Sequence, residues 1–426
     1  MEYFIIAIAA MTLIFLVRVN LPAEVARRAL PILLFAFVLR LVLHVMVMRS
    51  GVIEYGGDNL TYEGIAREIV RLWEREGFKF VTSEDISDIS SVTFPCQVFA
   101  IVIYLCGGPA SLACTAVVAL LACALCIVIF RFARFVGADD RAALILLAVT
   151  AFMPAFLLHT SDTYKDGFNA FLVVASIGLG VSIARRFDLR RLLMLLPMLW
   201  ALWYVRPYMV AMCVVPLLLC LIGVKGGFSL RRFAFAAILM CAVFASGGLS
   251  GLAPTAAIQK QFENGHSQAT IRANASGGSG VVFEDGGDPW SDLDSKLVYT
   301  LLSPFPWTEG SLALQLGKVD AFIWYFLLYS AARGARRLWL NDRRILVILL
   351  LFIVPATIAY ATTMANIGLI FRQRMPIIMI TSLLSAVAWT RNPRDKGHST
   401  TVLAGSQSTG QIAEQSIRSH AETGRV

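Results

Sequence analysis

Residues 110–130 read ASLACTAVVALLACALCIVIF, an unbroken apolar run without charge, proline or glycine. Wound as an α-helix at about 1.5 Å per residue, the run is about 31 Å long, the thickness of a bilayer's hydrocarbon core. Other runs of the same kind recur along the 426 residues, which are 58% hydrophobic and 15% charged, with a mean hydropathy of +0.70. A water-soluble domain carries about a quarter charged residues, so too little polar surface exists here to coat a soluble globule. The alternating apolar/polar segments of an outer-membrane barrel are absent from the sequence. The predicted fold class is therefore all-α, a polytopic transmembrane helical bundle.

Working outward, spans are expected at 3–17, 29–48, 110–130, 142–159, 167–184, 191–204, 207–224, 232–253, 317–333, 344–364 and 368–389, about eleven in all. The net charge of +9 does not point to nucleic acid. Its basic residues fall in clusters between apolar blocks: Arg18/Arg27/Arg28, Arg131/Arg134/Arg141, Arg185/Arg186/Arg190/Arg191, Lys225/Arg231/Arg232 and Arg333/Arg336/Arg337/Arg343/Arg344. The positive-inside rule assigns these clusters to the cytoplasm. They all fall on one side only if Phe94–Cys106, too short to cross, lies along the interface instead. The N-terminus is then outside and the C-terminus cytoplasmic, with Tyr3–Val17 read as a retained first span.

Two external loops result, 49–109 and 254–316. The first holds an amphipathic helix with Ile65, Ile69, Leu72 and Trp73 on one face. A transmembrane domain of residues 1–390 is followed by a disordered, Ser/Thr/Gln-rich cytoplasmic tail at 391–426. The eight cysteines lie in apolar segments and read as small buried hydrophobes, the Cys123–Cys126 spacing included.

Polar residues at membrane depth are costly, so each needs a reason. Glu54 and Asp58 follow span two; Asp162, Lys165 and Asp166 lie in HTSDTYKDG between spans four and five; Arg206 lies between spans six and seven; Arg372 and Arg374 open the last span. All fall on the outer side, where short turns should avoid Lys and Arg. The cations Lys165, Arg206, Arg372 and Arg374 suit a phosphate at the interface. The carboxylates suit activation of a hydroxyl, or the holding of a divalent metal by Asp58 and Asp166. Competing structural roles are helix capping by Asp58, a local ion pair of Lys165 with Asp166, and snorkelling of Arg372 and Arg374. No cofactor follows with certainty from these residues.

In this order the motifs resemble those of the polytopic C-type glycosyltransferases, which take sugars from polyprenyl- or dolichyl-phosphate donors. GGDNLTYEGIAREIV is similar to their first external loop, with Asp58 at the acid and Tyr62 at the following aromatic. FPCQVFAIVIYLCGG matches the Pro-led interfacial stretch. MPAFLLHTSDTYKDGFNAFLVV resembles the P…S…KD/KE turn of bacterial members, on Pro154, Ser161, Lys165 and Asp166, while LLSPFPWTEG and IGLIFRQRMPI resemble the late external loop and the Arg-bearing last span. Where many members carry two adjacent acids, this chain has Asp58–Asn59.

The resemblance implies an inverting glycosyltransferase of the bacterial inner (plasma) membrane, working on cell-envelope glycan or glycoconjugate. Its partners would be a polyprenyl-linked sugar donor, a glycan, lipid or protein acceptor and the surrounding lipids. Asp58 would be catalytic and Arg372, Arg374, Lys165 and Arg206 would bind donor phosphate, supported by Tyr62, Asp162, Asp166 and Glu54. Two other functions are carried alongside. One is a polysaccharide polymerase or ligase using undecaprenyl-diphosphate-linked oligosaccharide; the other is a transporter or flippase.

Overall fold

The computed structural model describes residues 1–50, 57–89, 92–185, 187–222, 290–309, 312–362 and 367–391. Glu54, the expected span at 232–253, loop residues 254–289 and the tail beyond 391 lie outside the described residues. Contacts divide the chain into one unit of Met1–Ala388 and a second of Trp389–Val426. The first is a helical membrane protein, and among the described residues it has no strand.

In chain order the helices are α1 (Glu2–Asn20), α2 (Ala23–Leu43, prolonged by a π-helical turn His44–Met48), α3 (Asp58–Glu76), α4 (Thr93–Cys106) and α5 (Ser111–Val136). Next come α6 (Asp140–Phe152), α7 (Pro154–His159), α8 (Asp166–Arg185), α9 (Leu189–Trp203) and α10 (Pro207–Ile222). After the undescribed stretch follow α11 (Leu293–Leu302), α12 (Leu312–Asn341), α13 (Arg343–Thr362), α14 (Ile367–Gln373) and α15 (Met375–Trp389).

Among the described residues five helices are long and apolar enough to cross a membrane: α1, α2 with its π turn, α5, α8 and α13. The other expected spans within the described residues fall on different architecture. The block at 142–159 is two helices, because Pro154 has no N–H to donate and the chain breaks at Met153. The last block is likewise divided at Arg374, just before Pro376. The pair α9 and α10 is short, with Pro197 and Pro216 inside. Helix α12 runs for 30 residues but carries Lys318, Asp320 and Arg333.

The centre of the bundle is α8, of whose apolar window 72% is buried; α1 is peripheral, at 17%. Lipid offers no hydrophobic drive for helices to associate, so close backbone approach and dispersion must do so. Helix α5 supplies Ala116, Ala119, Ala122, Cys123 and Cys126, all buried. A side chain at Gly178 of α8 would meet the Phe132 ring of α5 at 3.4 Å. The described cysteines are free thiols, all but Cys106 buried.

The two ends of the bundle differ chemically. At one end Arg131 donates to Asn20 (2.6 Å), Arg185 lies 4.3 Å from the Phe135 ring, and Arg185 pairs with Asp342 at 3.6 Å. These contacts gather four of the five basic clusters. Helix α8 starts from that end's opposite, at Asp166, about 30 Å from Arg185 by helix rise. Near Asp166 lie the first loop and the turns that carry the other charges.

The break between α6 and α7 exposes backbone groups that buried side chains satisfy. Ala151 O accepts from Arg40 Nη2 (3.2 Å), and Ala155 N donates to Asp320 Oδ1 (2.9 Å). Arg40 also donates to Thr160 Oγ1 at 2.7 Å and is fully buried. Irregular backbone inside a bundle survives only when its polar groups are met in this way.

Candidate active site

Gly57 starts the site. With φ +73° it adopts a left-handed conformation suited to glycine, and it turns the chain into α3. The N-cap position is therefore Gly57, and Asp58 is the first helical residue. The capping role considered for Asp58 is not realised, because no side chain caps this helix. Asp58 is instead turned across the molecule, and Asn59 donates to Asp162 at 2.7 Å.

Arg372 is the hub. Its Nη1 donates to Asp58 Oδ2 at 2.8 Å, while Nε and Nη2 donate to Asp166 Oδ2 at 3.1 and 2.9 Å. Its guanidinium carbon lies 5.0 Å from the centre of the Tyr164 ring. Arg206 completes the Asp166 carboxylate from the other side, Nη2 to Oδ1 at 2.8 Å, and donates to Tyr208 Oη at 3.0 Å. Asp166 is thus held by both arginines with its side chain 1% exposed, whereas Asp58 has one arginine and is 42% exposed.

Lys165 lies beside this group, its Nζ 5.9 Å from the Tyr62 ring. Burial first, and the charge of Arg206 second, push its ammonium down to about 8, against the pull of Asp166 and Asp58. Burial likewise raises the Tyr62 phenol, with the Asp58 carboxylate adding to it. Arg206 keeps its charge firmly. Burial opposes that charge, but Tyr208 and Asp166 reverse the effect.

A second cluster lies next to the first. Arg49 pairs with Glu63 and, at 2.8 Å, with Asp162 Oδ1. His44, on the π turn, approaches the same oxygen at 3.4 Å and Thr115 Oγ1 at 3.1 Å. Thr163 bonds Glu63 at 3.1 Å. Burial alone would raise the Asp162 carboxyl; the His44 hydrogen bond and the Arg49 charge overcome it and hold it below the ordinary range.

Asp58, Tyr62, Lys165, Asp166, Arg206 and Arg372 thus come together, from α3, the α7–α8 turn, the α9–α10 turn and α14. Asp162 belongs to the adjoining cluster. Arg374 leaves the group: its Nη1 donates to Thr300 O and Leu301 O at 3.2 and 3.4 Å, on the α11 side. The two carboxylates named as metal candidates, Asp58 and Asp166, converge on one guanidinium. Among the described residues no group of three or more His, Cys, Asp or Glu side chains is arranged to hold a metal ion.

Arg49, Glu63, Tyr164 and Asp320 were not singled out from the sequence. Asp320 had a legible signal, a lone acid inside an apolar block. Arg49 and Glu63 looked like ordinary flank and surface-helix residues.

No protein-family model matches the chain, and no curated protein does. One similar solved structure is the archaeal oligosaccharyltransferase AglB from Archaeoglobus fulgidus, in complex with an inhibitory peptide and a dolichol-phosphate. Identity is 15% over 84% of this chain and 50% of that one, with a TM-score of 0.48. This chain therefore spans about half of that protein's length. At that identity and overlap the likeness assigns no chemistry here.

Proposed function

We propose that this protein is an integral-membrane glycosyltransferase that moves a sugar from a polyprenyl-phosphate donor to a hydroxyl acceptor. The observation that supports it is the convergence of Asp58, a half-exposed carboxylate, with the cations Arg372, Arg206 and Lys165 around the buried Asp166. The acceptor oxygen attacks the sugar's anomeric carbon, the bond from that carbon to the phosphate oxygen breaks, and Asp58 takes the hydroxyl proton. Attack from the face opposite the leaving group inverts the anomeric centre. The leaving polyprenyl phosphate gains negative charge, which fixed guanidinium groups stabilise without reorganising.

The positive-inside rule sets this end of the bundle on the outer face of the membrane, with the basic clusters in the cytoplasm. In a bacterium that is the periplasmic side of the inner membrane, where cell-envelope glycans are assembled.

Charge favours a monophosphate donor over the alternative, a polymerase or ligase using a lipid diphosphate. Three cations facing two carboxylates leave one positive charge, the complement of a phosphodiester's single negative charge. A transporter would need charges along a path through the bilayer, whereas these gather at one end. The test is a purified assay offering a polyprenyl-monophosphate sugar and a polyprenyl-diphosphate oligosaccharide side by side. Turnover of the monophosphate supports the proposal; turnover of the diphosphate alone would sink it.

A further inference from the structure

Arg372 is held unequally by its two carboxylates, and that asymmetry has a mechanistic use. On the Asp166 side it makes two hydrogen bonds to a side chain 1% exposed, itself fastened by Arg206. The Tyr164 ring lies against the guanidinium, 5.0 Å from its carbon. On the Asp58 side there is one hydrogen bond, from Nη1, to a carboxylate 42% exposed. With Asp58 that open to solvent, water screens this pair more than it screens the buried Arg372–Asp166 pair. Any anion arriving at Arg372 therefore displaces Asp58 first and leaves the arginine anchored.

The geometry points to Asp58 as an anionic place-holder. It occupies the donor phosphate's position on Arg372 Nη1, and the arriving phosphate releases it for its work as a base. This rests on the function proposed above and adds the coupling between its two halves. While Arg372 holds Oδ2, that oxygen's lone pair is engaged by a cation; once phosphate takes Nη1, the carboxylate is free to turn toward the acceptor hydroxyl. The exchange makes and breaks hydrogen bonds only. It deploys the base when a donor is present, and it keeps the arginine's charge compensated when none is.

Linkage makes this measurable, because two groups that compete for one site each weaken the other's binding. The probe is a polyprenyl monophosphate titrated into the full chain in detergent, its affinity compared among wild type, Asp58→Asn and Asp58→Ala. Both substitutions should tighten binding, on the order of threefold to fivefold, since a partly exposed ion pair is removed. The gain should vanish when Arg372→Ala is added to either.

Equal or weaker binding by both Asp58 variants, with wild-type binding intact, would overturn the place-holder role and leave the glycosyltransferase reading standing. A wild type that binds no polyprenyl monophosphate would overturn both. Thermal unfolding of each variant shows whether it is folded, and two variants of different shape guard against the failure of either.

Discussion

Two charge clusters lie side by side at one end of this bundle, and they differ in balance and in access. The Arg372 cluster sets Lys165, Arg206 and Arg372 against Asp58 and Asp166, and one of its carboxylates is 42% exposed. The Arg49 cluster sets Arg49, with Arg67 reaching Glu63 at 3.6 Å, against Glu63 and Asp162, with those acids 5% and 0% exposed, and closes on itself through Asn59, Thr163 and His44. The first has charge to spare and a way in. The second spends its polar groups on tying α2, α3 and the α7–α8 turn together. Proximity and residue type do not separate the two clusters; charge balance and exposure do.

The comparison is broken most severely by Asp58→Asn. A lost general base should lower turnover by about 10² to 10⁴, read in the monophosphate-donor assay. Wild-type rates in that variant would mean that the exposed carboxylate is as structural as the buried ones.

Arg372→Ala comes next. It should weaken polyprenyl-monophosphate binding on the order of tenfold to a hundredfold, because charge-assisted contacts to phosphate are lost and two carboxylates are left facing. Arg372→Lys should recover part of the affinity, since it restores the charge but not the fork that reaches both carboxylates.

In the fastening cluster, Arg49→Met should act on stability instead. Leaving Asp162 buried without its cation, and Glu63 with only the longer contact from Arg67, should cost about 2 kcal/mol, seen as earlier unfolding in detergent. Donor affinity should stay unchanged, and a matching drop in affinity would merge the two clusters into one.

The smallest effect concerns pH. Lys165 sheds its proton near pH 8, below the ordinary lysine value. It is cationic below that pH and neutral above it, so kcat/KM should fall severalfold as pH rises through about 8. Lys165→Arg should flatten that limb of the profile. The unfolded chain keeps this proton to higher pH, so protonated Lys165 costs folded stability, and stability from this group rises with pH above about 8. Opposite pH trends for activity and stability would identify Lys165 as the group responsible.

Much of this site was visible in the sequence because rule-breaking cations on the outer side stand out singly. Lys165, Arg206 and Arg372 each violate the charge bias that the inner loops obey, and they meet in the fold. Arg374 violates it equally and goes elsewhere. Neighbours two apart on a helix point about 200° away from each other, so Arg372 and Arg374 could not share one target in a helical segment. Asp58 showed its chemical type but not its partner, 314 residues away in the chain. Arg49 and Glu63 gave no signal, since their burial depends on α3 packing against the α7–α8 turn.

The sequence by itself determined that this is an all-helical membrane protein with chemically opposite ends. The reason is that the cost of placing a polar group in lipid is local, so apolar length and charge bias can be read residue by residue. Only the tertiary structure decided which charges compensate one another, which carboxylate stays open, and where prolines break the expected spans. Those outcomes depend on distances between residues far apart in the chain, set by how small residues let the helices approach.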